Sequence, residues 1–251
     1  LILWIGLWAG ALAVLVATAL WSWLSHRDHT YVAYALFGLA LGAYQFVMSG
    51  VVPSIVPWLS SAATTLEPVT GGLAALAGVG LTRWYLATAL RQPAWDLALR
   101  LTGWLGLLAA APVAWGGVVL ANELTAWTGS LAIGGCLLAA ALRTARGDRG
   151  ARHFLVGFGP FALAGAWYVG MLQGRFPPAL AAQVVFQATF LFTGLAVALA
   201  LSTQRRAEEA RNREFLEAAV ADRSRALDAS LARLGAAQRL EAVGRLTAGV
   251  A

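Results

Sequence analysis

The first stretch of the chain determines its fold class. Residues 1–24 read LILWIGLWAGALAVLVATALWSWL and contain no charged side chain. As a helix rising 1.5 Å per residue, this stretch would cross the roughly 30 Å hydrocarbon core of a bilayer. Further apolar runs follow at 31–49, 62–88, 97–118, 124–143, 151–172 and 178–202. We therefore predict an all-α, polytopic membrane protein whose residues 1–202 form a seven-helix bundle.

The overall composition supports membrane insertion and excludes several functions. Of 251 residues, 59% are hydrophobic and 12% are charged, whereas soluble domains carry about 25% charged residues. Every basic residue other than histidine is arginine, so a retinal Schiff base, which requires lysine, is excluded. The single cysteine, Cys136, can form no intrachain disulfide and is expected to be a small buried apolar residue.

Arginine placement predicts the orientation of the bundle. Alternate loops and the start of the tail hold ten arginines, and the opposing loops hold only Arg175. The ten are Arg27, Arg83, Arg91, Arg100, Arg143, Arg146, Arg149, Arg152, Arg205 and Arg206. By the positive-inside rule, the amino end is outside and the carboxyl end is cytoplasmic. The net charge of +6 is then explained by the membrane topology, and no nucleic-acid partner is expected.

Several short motifs, taken in order, resemble one receptor family. They are Arg27-Asp28 with Tyr31 and Tyr34, Tyr44-Gln45 with Gly50, Arg83-Trp84-Tyr85-Leu86, Pro93 with Leu97 and Arg100, 151–155, and Gln187 with 198–200. Together they resemble the seven-transmembrane receptors with diverse intracellular signalling modules. The exit from the last helix, Ser202-Thr203-Gln204, departs from that pattern because it lacks the acidic residue common there. The resemblance implies a bundle that often follows a periplasmic ligand-binding domain and precedes a kinase, nucleotide cyclase or phosphatase module.

Polar side chains within the spans are the candidate site residues. They are Gln45, Glu67, Asn122, Glu123, Gln183 and Gln187, all expected in the middle or outer half of their helices. Such residues are costly in a bilayer unless they face protein or water. They could line an outward-facing ligand cavity, or each could make only an interhelical hydrogen bond. Neither catalytic nor metal-binding residues are expected in the bundle.

Small residues and prolines predict how the helices meet. Gly71-Gly72 with Ala75 and Gly78, and Gly157 to Gly159, indicate close helix packing, and Pro160 indicates a kink.

A charged, periodic segment follows the bundle. Leu216, Val220, Leu227, Leu231 and Leu234 form a coiled-coil seam whose phase is interrupted near Gly235. We predict a cytoplasmic coiled-coil signalling helix over 203–239 that pairs two protomers as a homodimer. A solvated single helix is the alternative.

The chain ends in a motif that indicates the output. Residues 240–251, LEAVGRLTAGVA, resemble the stretch before the phosphoacceptor histidine of sensor histidine kinases. This resemblance implies the start of a dimerisation and phosphoacceptor domain, with the histidine expected directly after Ala251. The sequence begins inside an apolar run, and we expect it to be the membrane and linker region of a longer receptor.

The predicted function is that of the membrane sensor region of a two-component sensor histidine kinase in the bacterial inner membrane. No cofactor is expected in residues 1–251; ATP and Mg²⁺ would bind the parent kinase domain, whose partner would be a response regulator. Two alternatives stay open: the same bundle with a nucleotide cyclase output, and a small-solute transporter. A transporter should show a charged midplane site or inverted repeats, and the sequence indicates neither.

Overall fold

The computed structural model describes residues 2–50, 60–172, 174–177 and 180–248. Within these ranges the chain is helical and has no strand. The helices are α1 (Ile2–His26), α2 (His29–Met48), α3 (Ser60–Leu86), α4 (Thr88–Arg91), α5 (Pro93–Leu108), a 3-10 helix (Ala111–Trp115), α6 (Val118–Ala145), α7 (Arg149–Leu172) and α8 (Leu180–Ala248). The prediction of an all-α fold is confirmed.

Six segments of the described chain are long and apolar enough to cross a membrane. They are Trp4–His26, His29–Met48, Pro93–Trp115, Val118–Ala145, Arg149–Met171 and Ala181–Thr203. The protein is therefore a multi-pass membrane protein, as the sequence predicted.

Helix α3 is the further long helix of the bundle, and it is less apolar than the others. It carries Glu67, Pro68 and Arg83. It packs against α2, α5 and α6, so much of its surface faces protein rather than lipid. A helix surrounded by other helices needs less apolar surface than one that faces hydrocarbon on most sides.

Identifiable residues begin and end these helices. The Asp28 carboxylate caps α2 by accepting a 2.8 Å hydrogen bond from the Thr30 backbone N–H. Ala87 has a φ of +47° and separates α3 from α4. Pro93 is the first residue of α5, where its missing N–H costs little. Gly147 has a φ of +85° between α6 and α7, a conformation that glycine adopts without strain.

Contacts between helix ends define one side of the bundle, which we call the arginine-rich end. There the rings of His29 and Trp84 lie 5.3 Å apart, and the Tyr85 hydroxyl donates to the Gly150 carbonyl oxygen at 3.4 Å. The end also holds the Arg91–Asp148 ion pair, at 3.1 Å.

Eight of the ten arginines used to predict the topology lie at this end or within about two helical turns of it. Arg175 lies beyond the opposite end of α7 and approaches the Trp127 ring at 5.7 Å. The arginines are thus segregated as predicted. Their cytoplasmic location stays a prediction, and the predicted outer loop from Pro53 to Pro57 lies outside the described residues.

The structure corrects two predicted helix boundaries. The fourth span, expected over 97–118, corresponds to the apolar segment Pro93–Trp115, but its helix α5 ends at Leu108 and a 3-10 helix follows. Pro112 has no N–H to continue an α-helix, and Gly116, with a φ of +81°, ends the 3-10 turn. The break expected at Asn122-Glu123 is also wrong, because α6 already begins at Val118 and contains both residues.

Small residues allow close helix packing, as predicted. A Cβ at Gly72 would lie 2.5 Å from the Gly106 carbonyl oxygen of α5. One at Gly157 would lie 2.9 Å from the Ala196 Cβ of α8. Pro160 lies within α7.

The chain divides into two compact units, residues 1–200 and residues 201–251. In the second unit, Leu216, Val220, Leu227 and Leu231 of the predicted seam are exposed in the single chain. The side chain of Leu234 and residues 249–251 lie outside what the structure describes. The coiled coil, and the homodimer that would bury its seam, stay predictions.

Candidate functional site

A cavity of about 720 Å³ opens among α2, α3, α6, α7 and α8, and we call it the outer cavity. Glu67, Asn122, Glu123 and Arg175 line it near the end of the bundle opposite the arginine-rich end. Gly78, Cys136 and Phe158 are among the lining residues that lie nearest the arginine-rich end. Its volume lies within the range of small-molecule sites.

The cavity extends far into the bundle. Asn122 and Cys136 are both lining residues of α6, and the helical rise places them about 20 Å apart along the helix axis. This distance is about two thirds of the roughly 30 Å thickness of a hydrocarbon core.

Small side chains on neighbouring helices create the space. On α3, the lining residues Gly71, Ala74, Ala75 and Gly78 recur at helical spacing and form one face. On α6, Gly129 lies opposite them, and a Cβ there would meet no atom within 4 Å. Larger side chains on these faces would fill the cavity.

The mouth of the cavity is polar and charged. Glu67 is half-buried, Glu123 is exposed, and Arg175 lies over the ring of Trp127. Further in, the Thr125 hydroxyl is buried and has no hydrogen-bond partner among the described residues. A ligand with a polar group could satisfy that hydroxyl, since a buried unpaired polar group costs free energy.

The inner walls are aromatic. Tyr168 of α7 stacks on Phe186 of α8 with ring centroids 5.2 Å apart, and Phe161 lies 5.1 Å from Phe186. All three residues line the cavity. The arrangement suits a ligand with an apolar body and a polar end.

A continuous row of aromatic rings connects the outer cavity with the arginine-rich end. Phe161 contacts Phe158 with centroids 5.3 Å apart, Phe158 stacks on Phe154 at 5.0 Å, and Phe154 lies 5.4 Å from Tyr85. Phe161 also lies 5.9 Å from Phe190 of α8. A movement of the Phe161 ring at the cavity would therefore displace the rings packed against it, in sequence as far as Tyr85 at the arginine-rich end.

The structure brings together three of the six polar residues selected from the sequence. Glu67, Asn122 and Glu123 line the outer cavity. Gln187 instead accepts a 2.6 Å hydrogen bond from the Trp4 indole N–H of α1, which is the interhelical role. Gln45 is buried and neither amide atom has a partner among the described residues. Gln183 is half-buried on α8 and is not among the described lining residues.

Sequence reasoning missed a charged cluster at the arginine-rich end. Asp96 is buried and accepts hydrogen bonds from Arg83 Nε at 2.7 Å and from the Thr88 hydroxyl at 2.7 Å. Its second oxygen accepts from Arg83 Nη2 at 3.2 Å and forms an ion pair with Arg100 Nη2 at 2.8 Å. The cluster joins α3, α4 and α5. Its sequence signal was an acidic residue four positions before an arginine within an arginine-rich stretch.

The helical bundle and its cavity define a polytopic membrane protein. Comparison with family models gives a match to "7TM diverse intracellular signalling" over residues 2–204. The chain therefore belongs to this family of seven-transmembrane signalling proteins, as its motifs suggested. A search of curated proteins and one of solved structures gave no match.

Proposed function

We propose that residues 1–202 are a sensor that binds a small ligand in the outer cavity and transmits its occupancy through α8. The observation that carries the proposal is the position of Phe186. This residue lines the cavity and belongs to α8, the helix that leads out of the bundle towards the output segment. A ligand that touches Phe186 contacts the transmitting helix directly.

The packing of α8 on α7 supports a shift of this kind. The Thr193 hydroxyl donates a 2.7 Å hydrogen bond to the Gly157 carbonyl oxygen, and Gly157 allows Ala196 to approach closely. Small residues at this interface allow small sliding movements between the two helices. A ligand would shift the equilibrium between two packings by its difference in affinity for them.

The same proposal specifies the class of ligand. Aromatic walls favour an apolar body, and the carboxylates and the guanidinium at the mouth favour a polar or charged end group. We expect a small amphipathic molecule that enters from the outer side.

For the output, we propose a histidine kinase in a bacterial inner membrane. The resemblance of residues 240–251 to the stretch before a phosphoacceptor histidine supports this. The coiled coil over 203–239 would pair two protomers, and the kinase module would use ATP and Mg²⁺ to phosphorylate the histidine and then a response regulator. In the encoding gene, His should directly follow Ala251, with an acidic residue next and Asn a few positions later. A cyclase sequence there would contradict the kinase output and leave the sensor proposal intact.

A pair of glycine substitutions tests the sensor proposal. Gly129→Phe places a ring in the outer cavity, while Gly134→Phe places the same ring on an exposed face of the same helix. Neither position has an atom within 4 Å of a new Cβ. Coupling free energies between sites correspond to roughly 5- to 150-fold effects. We expect Gly129→Phe to change the autophosphorylation rate of the parent kinase in native membranes at least about fivefold. Gly134→Phe should leave that rate near wild type.

Two results would count against the sensor proposal. One is an unchanged output with Gly129→Phe at normal protein levels. The other is an equal change with both variants, which would indicate a general effect of phenylalanine on α6.

A further inference from the structure

A second cavity, of about 440 Å³, lies at the arginine-rich end, and we call it the arginine pocket. It is lined by Arg91, Gln92, Arg143, Arg146, Gly147 and Asp148. These residues come from the junction of α4 with α5 and from the connection between α6 and α7. No residue is shared between the described linings of this pocket and of the outer cavity.

Gln92 is the least expected of these residues. Its relative exposure is 6%, and neither its amide nitrogen nor its amide oxygen has a hydrogen-bond partner among the described residues. The residue lies in the turn just before Pro93, where its backbone N–H donates to the Thr88 carbonyl oxygen at 2.8 Å. A buried amide with both atoms unsatisfied is costly, and a ligand in the pocket that it lines would supply the missing partner.

The charges of the pocket favour an anion. Three arginines and one aspartate give its lining a formal charge of +2. Asp148 Oδ2 pairs with Arg91 at 3.1 Å and also with Arg143, so this carboxylate holds two guanidinium groups in place. Its other oxygen accepts from the Ala151 backbone N–H at 3.2 Å.

Arg146 is the third arginine that lines the arginine pocket. It is exposed, and among the described residues its side chain makes no ion pair. Guanidinium groups bind phosphate with two parallel hydrogen bonds, and a guanidinium group that forms no ion pair has all its N–H donors available. An excess of arginine at one end follows from membrane topology alone. Topology does not account for a buried, unpaired glutamine between those arginines.

We propose that the arginine pocket binds a phosphate group, which the Arg146 guanidinium and the Gln92 amide hold beside Arg91 and Arg143. The phosphate belongs either to the headgroup of an anionic lipid or to a small soluble phosphate compound. Both sources offer the same oxygen acceptors to the same donors. The proposal does not depend on the function of the outer cavity.

The test uses the full chain in phosphatidylcholine nanodiscs. In one arm inorganic phosphate is titrated into the sample and binding is followed by calorimetry. In the other arm phosphatidylglycerol is included in the nanodiscs, and native mass spectrometry measures the phosphatidylglycerol that the protein retains. Binding in the first arm indicates a soluble phosphate compound, and binding in the second alone indicates a lipid headgroup.

Two variants and a matched control show where the phosphate binds. Gln92→Leu removes the unpaired amide, and Arg146→Gln removes the guanidinium charge that forms no ion pair. Arg152→Gln removes one charge from an exposed residue of α7 that does not line the pocket. Whichever probe binds to the wild type, we expect both pocket variants to weaken its binding about tenfold or more, because each variant loses a hydrogen bond to an ionised group. The control should stay within about twofold of wild type.

Helix content and a single elution peak would show that each variant is folded. Arg146 is exposed, and in the described part of the chain its side chain forms no ion pair, so Arg146→Gln is expected to fold even if Gln92→Leu does not. The proposal is overturned if neither probe binds to the wild type. It is equally overturned if Arg152→Gln weakens binding as much as Arg146→Gln, because general surface charge would then explain the effect.

Discussion

The Asp96 cluster gives a stability prediction whose size follows from the structure. Asp96→Asn retains the shape of the side chain and replaces one carboxylate oxygen with an N–H donor. The oxygen that remains can still accept from Thr88 and from Arg83 Nε, both at 2.7 Å. The new amide nitrogen would face two further donors, Arg83 Nη2 and Arg100 Nη2, at 3.2 and 2.8 Å.

Exposure determines the magnitude of the expected loss. The Asp96 side chain is 6% exposed, whereas those of Arg83 and Arg100 are 25% and 52% exposed. A hydrogen bond to a charged group contributes about 1.5–3 kcal/mol, and we take the lower part of that range because Arg83 is partly hydrated. The loss for Asp96→Asn is then about 1.5–2 kcal/mol, most of it from Arg83. For Arg100→Gln, an exposed pair at i,i+4, it is about 0.5 kcal/mol.

Thermal unfolding in detergent measures this difference. For chains of this size, 1 kcal/mol shifts the Tm by about 2–4 °C. Asp96→Asn should therefore lower the Tm by about 3–8 °C and Arg100→Gln by about 1–2 °C. If both variants melt within about 2 °C of wild type, the cluster does not stabilise the junction of α3, α4 and α5, and the assigned hydrogen bonds are wrong.

Three further predictions test the cavity, the packing and the output segment. In a cysteine-free background, Ser130→Cys in the outer cavity should react with a charged, membrane-impermeant thiol reagent added outside, and Gly134→Cys should not. The opposite pattern would mean that the cavity is closed to water. Gly72→Ala should lower the Tm because its Cβ would lie 2.5 Å from a carbonyl oxygen, whereas Gly80→Ala, with no atom within 4 Å, should not; equal melting would refute the close contact between α3 and α5. Inserting one residue near Arg211 should lock or abolish kinase output by rotating the seam about 100°, and inserting seven should largely restore it; an output that follows only the inserted length would leave 203–251 as a tether.

Apolar runs predicted the helices well where polar residues or glycine bounded them. Helix α7 was expected over 151–172 and spans Arg149–Leu172. The end of α5 at Leu108 was missed because residues 109–114 are as apolar as the helix before them. Hydrophobicity indicates which residues lie in the membrane, and it does not indicate where backbone hydrogen bonding changes from α to 3-10 geometry.

The outer cavity could be predicted only in part. The polarity of Glu67, Asn122 and Glu123 marked them as candidates, and all three line the cavity. The glycines of α3 were read as packing positions, which Gly72 confirms. The sequence could not indicate that Gly78 would border an open space, because that depends on which helix lies opposite.

Contacts between segments that are far apart in the chain could not be predicted from the sequence. Gln92 and Asp148 line the same pocket although they are far apart in the chain. Each is unremarkable in its own loop, and only the packing of the helices brings the two loops together. For the same reason, the pairing of Asp96 with Arg83 was not predicted.

A movement of α8 on filling of the outer cavity can be measured without knowing the stimulus or the output. Spin labels would replace Leu101 of α5 and Leu195 of α8, both exposed, in a Cys136→Ala background. No described residue of α5 lines the cavity, so that helix serves as the reference. We expect Gly129→Phe to shift the distance between the two labels by on the order of 1–2 Å and Gly134→Phe to leave it unchanged. Identical distance distributions in both variants and in the unsubstituted protein would contradict this expectation.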